Sequence, residues 1–207
     1  GPQTPPTEDR CVPTIIHVYF MIPMANIQCH KNCGSLLDCG ANTGLATKSQ
    51  AVALRIFPNV SVSITGIKDH QMNNLSMCDA ASRIMTHRGP AIAIMHQYTW
   101  CNKGRTIHSC CQMESFRNIV EDRSMKVGGR QCIQTLDSYF IPVNIIGGLV
   151  YFKMDVPTQE ELDTLPQVVL TAPGPWNPRK VDHIITNIDE WKNVIADLDK
   201  GLIQTPF

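Results

Sequence analysis

The sequence predicts a mainly β domain followed by a C-terminal helical extension, and three observations carry that expectation. Runs of β-branched and aromatic residues, closed by Pro, Gly or Asn, recur from Thr14 to Phe152. Apolar residues return every three or four positions in two stretches, Cys110–Val120 and Ile188–Leu202. A length of 207 residues fits one domain with extensions, or two small domains.

Taken in order, residues 1–11 are rich in Pro and Thr without apolar periodicity, which predicts a disordered N-terminal segment. A domain over 12–156 follows, its core in about 12–120, and then a linker and amphipathic helix over 157–207. Ile15, Ile16, Val18, Tyr19 and Phe20 favour a strand that Pro23 ends, and Cys29–Gly34 reads as a turn into the strand carrying Asp38. Val52–Phe57 and Val60–Ile67 read as a hairpin around Pro58-Asn59, the second strand alternating Val60, Val62 and Ile64 with Ser61, Ser63 and Thr65. Gly66–Gln71 is polar and turn-prone, and Leu75–Met85 and Ala91–Tyr98 are strand-like runs bounded by Arg88-Gly89-Pro90.

A helix is predicted over Ser109–Ile119, with Ser109 as N-cap and Cys110, Met113, Phe116 and Val120 recurring at helical spacing. After a turn at Lys126–Gly129, strand character returns at Cys132-Ile133, Tyr139–Ile141 and Val143–Phe152, with Asp137-Ser138 as a hairpin tip. Thr158 opens a short helix that closes before Pro166. Ala172–Pro178 is too rich in Pro for regular structure. Beyond it Ile188, Trp191, Val194, Ile195 and Leu198 share a helical face expected to dock on the domain, with Trp176 and Trp191 as anchors.

Composition removes several function classes. Eighteen Lys+Arg balance eighteen Asp+Glu, so no basic field suggests direct nucleic-acid binding. The longest apolar stretch, Val12–Ile27, is broken by Pro13, His17, Pro23 and Asn26 and is shorter than the ~20 residues of a membrane span. Nine unevenly spaced cysteines, without a charged n-region leading into an apolar stretch, fit a reducing intracellular compartment better than a disulfide framework.

The candidate chemistry lies in Asp38-Cys39-Gly40-Ala41, directly after Ser35-Leu36-Leu37. The tetrapeptide resembles the active-site loop of retroviral-type aspartic proteases, in which a short strand delivers a carboxylate, Gly turns the backbone beneath it, and Ala leaves room for a second copy of the loop across a dimer axis. Two adjacent carboxyls cannot both ionise, so they share a proton, one activating water while the other polarises a scissile carbonyl. Taken alone, an Asp-x-Gly is also an ordinary turn.

Together with Ile64–His70, His96-Gln97-Tyr98, Gly104–Ser109, Gly128–Ile133 and Leu165–Thr171, the stretch Gly34–Asn42 resembles the protease region of copia-type retrotransposon polyproteins, of the kind common in diatoms and related algae. The resemblance covers Ile15–Asp182 and implies a retropepsin-like fold with a closed or strongly curved sheet. It also implies an aspartic endopeptidase acting as a homodimer on its own polyprotein, in the cytoplasm or a virus-like particle, with no cofactor and no metal. It makes Asp38 catalytic, places Cys39, Gly40, Ala41 and Asn42 in the active-site loop, and puts Gly66, Ile67, Asp69 and His70 in a flap over substrate. Ile107-His108-Ser109-Cys110 stands for the apolar-apolar-Gly motif behind the catalytic loop, with Ile145-Ile146-Gly147-Gly148 as a rival.

Two positions, Cys39 and Asn42, depart from the pattern. Cys39 occupies the place of a Thr or Ser hydroxyl that locks the two loops together across the dimer, and a thiol is a weak donor. Asn42 stands where retroviral enzymes often carry an Asp that holds substrate main chain. The departure keeps open a different class, a non-catalytic dimerisation or peptide-binding module on the same fold. A zinc module built on Cys29, His30 and Cys33, or on His108, Cys110 and Cys111, is the third alternative, although no CxxC pair supports it. Buried packing is the ordinary role of such cysteines, and His70, His96 and His108 read as hydrogen-bonded structural residues.

Overall fold

A computed structural model of the chain describes residues 14–19, 34–66 and 71–199. Strands hold 47% of the described residues and helices 16%, so the protein is mainly β. The first half contains β1 (Thr14–Tyr19), β2 (Ser35–Asp38), β3 (Leu45–Thr47), β4 (Val52–Thr65), β5 (Gln71–Thr86), β6 (Gly89–Cys101) and β7 (Ile107–Ser109). There follow α1 (Cys110–Ser115), β8 (Ile119–Glu121), β9 (Cys132–Gln134), β10 (Phe140–Pro142), β11 (Asn144–Ile146), β12 (Leu149–Phe152) and β13 (Met154–Asp155). The chain continues through α2 (Gln159–Thr164), β14 (Gln167–Val169) and α3 (Glu190–Asp199). Among the described residues, eleven strands make one sheet in the order β1-β4-β5-β6-β3-β7-β2-β12-β11, with β13 on β5 and β14 on β6, while β8, β9 and β10 make a small second sheet.

Of the closed or strongly curved sheet expected, the closed form is not found: β1 pairs only with β4 and β11 only with β12 among the described residues, so the sheet is open. Its spine is the β5–β6 hairpin. Each of these long strands changes partner along its free edge, β5 from β4 to β13 and β6 from β14 to β3. A bulge between Cys78 and Ala80 puts an extra residue into β6, where Gln97 takes a left-handed φ of 59° and donates its N–H to Asp79 Oδ1.

Three local expectations change in the structure. Pro58-Asn59 is no hairpin turn, because β4 runs through it as one strand. The irregularity is taken up where Phe57 faces Met77 and Ser61 faces the next residue of β5, Ser76. Pro has no N–H to give the ladder, and a bulge is where a strand tolerates that loss. The run Val143–Phe152 is divided by Gly147 and Gly148, both at positive φ, into the hairpin strands β11 and β12. Ser109 does cap α1, accepting from the Gln112 N–H, but the helix stops at Ser115, and Ile119 enters β8 once Arg117 has turned through φ 66°.

The division at 156/157 also moves. β14 adds a parallel strand to β6, and Val168 and Leu170 are fully buried in the main core with Phe152 and Met154, so the sheet domain runs through about Thr171. The helix before β14 carries a full capping box between Thr158 and Glu161. Past Thr171 burial falls away. Ile188 is 75% exposed, Trp191 43% and Ile195 50%, so the apolar face of α3 does not dock on the sheet among the described residues, contrary to expectation, and Trp191 does not anchor it. Residues 1–11, Cys29, His30, Cys33, and the flap residues Ile67, Asp69 and His70 lie outside the described residues.

Candidate active site

β2 explains why Asp38 is held where it is. Leu36 and Leu37 alternate into two separate apolar clusters, Leu36 with Ala41, Val62, Ile107 and Tyr151, and Leu37 with Tyr98, Met113 and Phe152. A strand buried on both faces reads as an unbroken apolar run, and this one is also flanked on both edges. It lies parallel to β7, Leu37 beside His108 and Asp38 beside Ser109, and antiparallel to β12. Of the two rival motifs, Ile107-His108-Ser109 is therefore the immediate neighbour of the Asp strand, and Ile145-Ile146 lies one strand farther out, beyond β12.

Asp38 leaves the strand into a tight turn. Its Oδ1 accepts the Gly40 N–H at 2.8 Å, and its carbonyl accepts the Ala41 N–H at 3.3 Å. Oδ2 is buried and has no hydrogen-bond partner. Desolvation therefore raises the Asp38 pKa above the usual carboxylate value, against the lowering effect of the Gly40 and Ala41 amides. The direction of the shift favours the protonated form, the form that donates in a pair of carboxyls sharing one proton.

The loop is tied down from behind. Ser109 Oγ donates to the Ala41 carbonyl at 2.6 Å while capping α1, so one hydroxyl holds both helix and loop. Gln112, 2% exposed, accepts the Gly44 N–H at 2.8 Å and donates to the carbonyls of His96 and Gln97. Beneath them the Tyr98 hydroxyl meets His108 Nδ1 at 2.9 Å, and His108 Nε2 faces the Met154 sulfur at 3.1 Å. A thioether can only accept, so Nε2 carries the proton and Nδ1 accepts from Tyr98. Burial drives the His108 pKa down to about 3 and the Tyr98 phenol up, leaving both neutral.

Cys39 is exposed, and its sulfur lies 2.8 Å from the Cys110 sulfur and 3.5 Å from Asp122 Oδ2. The Cys110 hydrogen bond lowers the Cys39 pKa, and the same contact, with burial, raises that of Cys110. Asn42 accepts the Trp176 indole N–H on its carbonyl at 2.8 Å, so Trp176 is the anchor the sequence suggested. It seals one wall of a cleft of about 410 Å³, lined also by Gln112, Ser115 and Lys180. Gly66, the described residue of the expected flap, is half-buried just past the end of β4, at the outer end of the β4–β5 pair.

Neither Gln112 nor Asp122 was singled out from sequence. Gln112 stands on a predicted helix, where a polar residue signals a solvated face, and only the fold turns it inward. Among the described residues no group of three His, Cys, Asp or Glu side chains is placed to hold a metal, and no helix is long and apolar enough to cross a membrane. No protein-family model, curated protein or solved structure matches the chain.

Proposed function

We propose that the protein is an aspartic endopeptidase of retropepsin type, working as a homodimer in which Asp38 of each copy supplies half of the catalytic dyad. The observation that carries this reading is the Asp38 carboxyl, at the end of a doubly buried strand, with Oδ1 held by Gly40 and Oδ2 buried and unpartnered. In the dyad the ionised member takes a proton from water as the water attacks the scissile carbonyl. The protonated member donates to the carbonyl oxygen, and the resulting tetrahedral diol collapses as a proton passes to the leaving amine. The substrate is an extended polypeptide, the natural one being the polyprotein of a copia-type element, and the β4–β5 tip near Gly66 acts as the flap.

One observation favours the second reading, a non-catalytic dimerisation or peptide-binding module. Cys39 is engaged within its own chain, its sulfur 2.8 Å from that of Cys110 and its S–H directed at Asp122 Oδ2, where the resemblance implies a hydroxyl that reaches across the dimer.

Cleavage of a peptide library between about pH 4 and 7, the range of a shared-proton dyad, separates the two with Asp38→Asn as control. The protease reading expects cleavage by wild type and its loss by about 10³-fold or more in the variant. The variant should fold at least as well as wild type at pH 7, because the raised pKa means that the ionised Asp38 opposes folding there. A folded, dimeric wild type that cleaves nothing would establish the module instead.

A further inference from the structure

Six cysteines fall among the described residues, and they are not chemically equivalent. Cys78 and Cys101 are buried in the core, out of reach of a reagent in solvent and of the Cys39 sulfur. Cys111 is half-buried against Ser109 Oγ and the Ala41 carbonyl, and Cys132 is half-buried with a raised pKa. Cys39 alone of the six is exposed, with a second thiol, Cys110, 2.8 Å from its sulfur. A disulfide bond is about 2.0 Å long, so bond formation needs a closure smaller than one bond length.

We propose that Cys39 and Cys110 form a reversible dithiol–disulfide site that takes a hydroperoxide as its oxidant. Cys39 is the reacting sulfur, because it is exposed to the reagent and its thiolate is stabilised by the Cys110 S–H. Partial burial and the acidic side chains facing it, Asp122 and Glu114, oppose ionisation but are outweighed by that hydrogen bond. The Cys39 thiolate attacks one peroxide oxygen and breaks the O–O bond, giving a sulfenic acid and, after protonation, one molecule of water or alcohol. The Cys110 sulfur then attacks the sulfenic sulfur, losing its proton as the S–OH oxygen leaves as water. Two thiols are oxidised by two electrons and one hydroperoxide is reduced. The buried Cys110 thus protects Cys39 from over-oxidation, and the bond fixes the turn after Asp38 to the first residue of α1.

The test uses the full, folded chain with near-stoichiometric hydrogen peroxide, followed by alkylation of free thiols, digestion and mass mapping. The expected result is one cross-linked peptide pair joining Cys39 to Cys110, reversed by dithiothreitol. In Cys110→Ser, Cys39 should instead accumulate as a sulfenic acid trapped by dimedone. Cross-linking of Cys39 to Cys111, cross-linking of Cys39 between two copies, or a Cys39 thiol that survives while others oxidise would each overturn the proposal. The mapping reads a bond rather than cleavage, so it stands or falls separately from the protease reading.

Discussion

The Asp38 loop and the α3 tail carry comparable apolar patterns and meet opposite fates. In the loop region Leu36, Leu37, Ala41 and Met113 are all buried, and the polar groups among them, Ser109, Gln112 and His108, each find partners. In the tail Trp191, Val194 and Ile195 on α3, with Ile188 in the turn before it, remain open to solvent among the described residues. Periodicity specifies which side of an element is apolar, but not whether anything covers it. The difference between the regions is one of enclosure: β2 has a strand on each edge and a cluster on each face, and α3 follows a Pro-rich connection with one strong tether, Trp176.

The sharpest way to test that contrast is to truncate one large side chain in each region. Phe152→Ala, at a ring 1% exposed and stacked on His108 at 4.5 Å, should cost about 3–5 kcal/mol, read as a fall in the urea midpoint. Acid should expose the same enclosure. The unfolded chain binds a proton at an imidazole of ordinary pKa near 6.5, whereas folded His108 resists protonation until about pH 3. His108 therefore contributes stability that is fully present above pH 6.5 and lost as pH falls toward 3, by about 1.4 kcal/mol per pH unit in that window. Urea titrations at pH 7, 6 and 5 should show the loss in wild type and a flatter profile in His108→Gln.

At the boundary between the regions, Trp176→Phe keeps an aromatic, though smaller, ring and removes the bond to the Asn42 carbonyl, an expected cost of about 0.5–1.5 kcal/mol for that bond in the same denaturation assay. Deep in the tail, Trp191→Ala should change stability by less than about 0.5 kcal/mol. A Trp191→Ala loss as large as that of Phe152→Ala would mean that the tail is covered in solution, and the contrast would collapse.

Much of the sheet was legible from residue pattern. The alternation Val60, Val62, Ile64, the breakers at Arg88-Gly89-Pro90, the Ser109 cap and the Thr158 helix start all match elements of the structure, because each signal is local. What could not be read is what long-range pairing decides. Pro58 marks a turn in isolation, yet pairing along β5 carries the strand through it. Val168 and Leu170 looked like part of a linker until β6 offered an edge. At the candidate site the Asp38-x-Gly40 turn was visible, since Asp and Gly make it whatever the surroundings, whereas the meeting of Cys39 with Cys110, 71 positions later, has no local signature.

That strand β2 lies between β7 and β12 has a consequence for the order of assembly. The edge beside Leu36 and Asp38 is filled by residues 107–109, and the opposite edge by residues 150–152, the latter more than a hundred positions downstream. Closing such distant pairings is the slow part of building a sheet. During synthesis the carboxyl at Asp38 therefore stays in an unfinished setting until Phe152 has left the ribosome, and a nascent chain cut short of that point has β2 paired along one edge only.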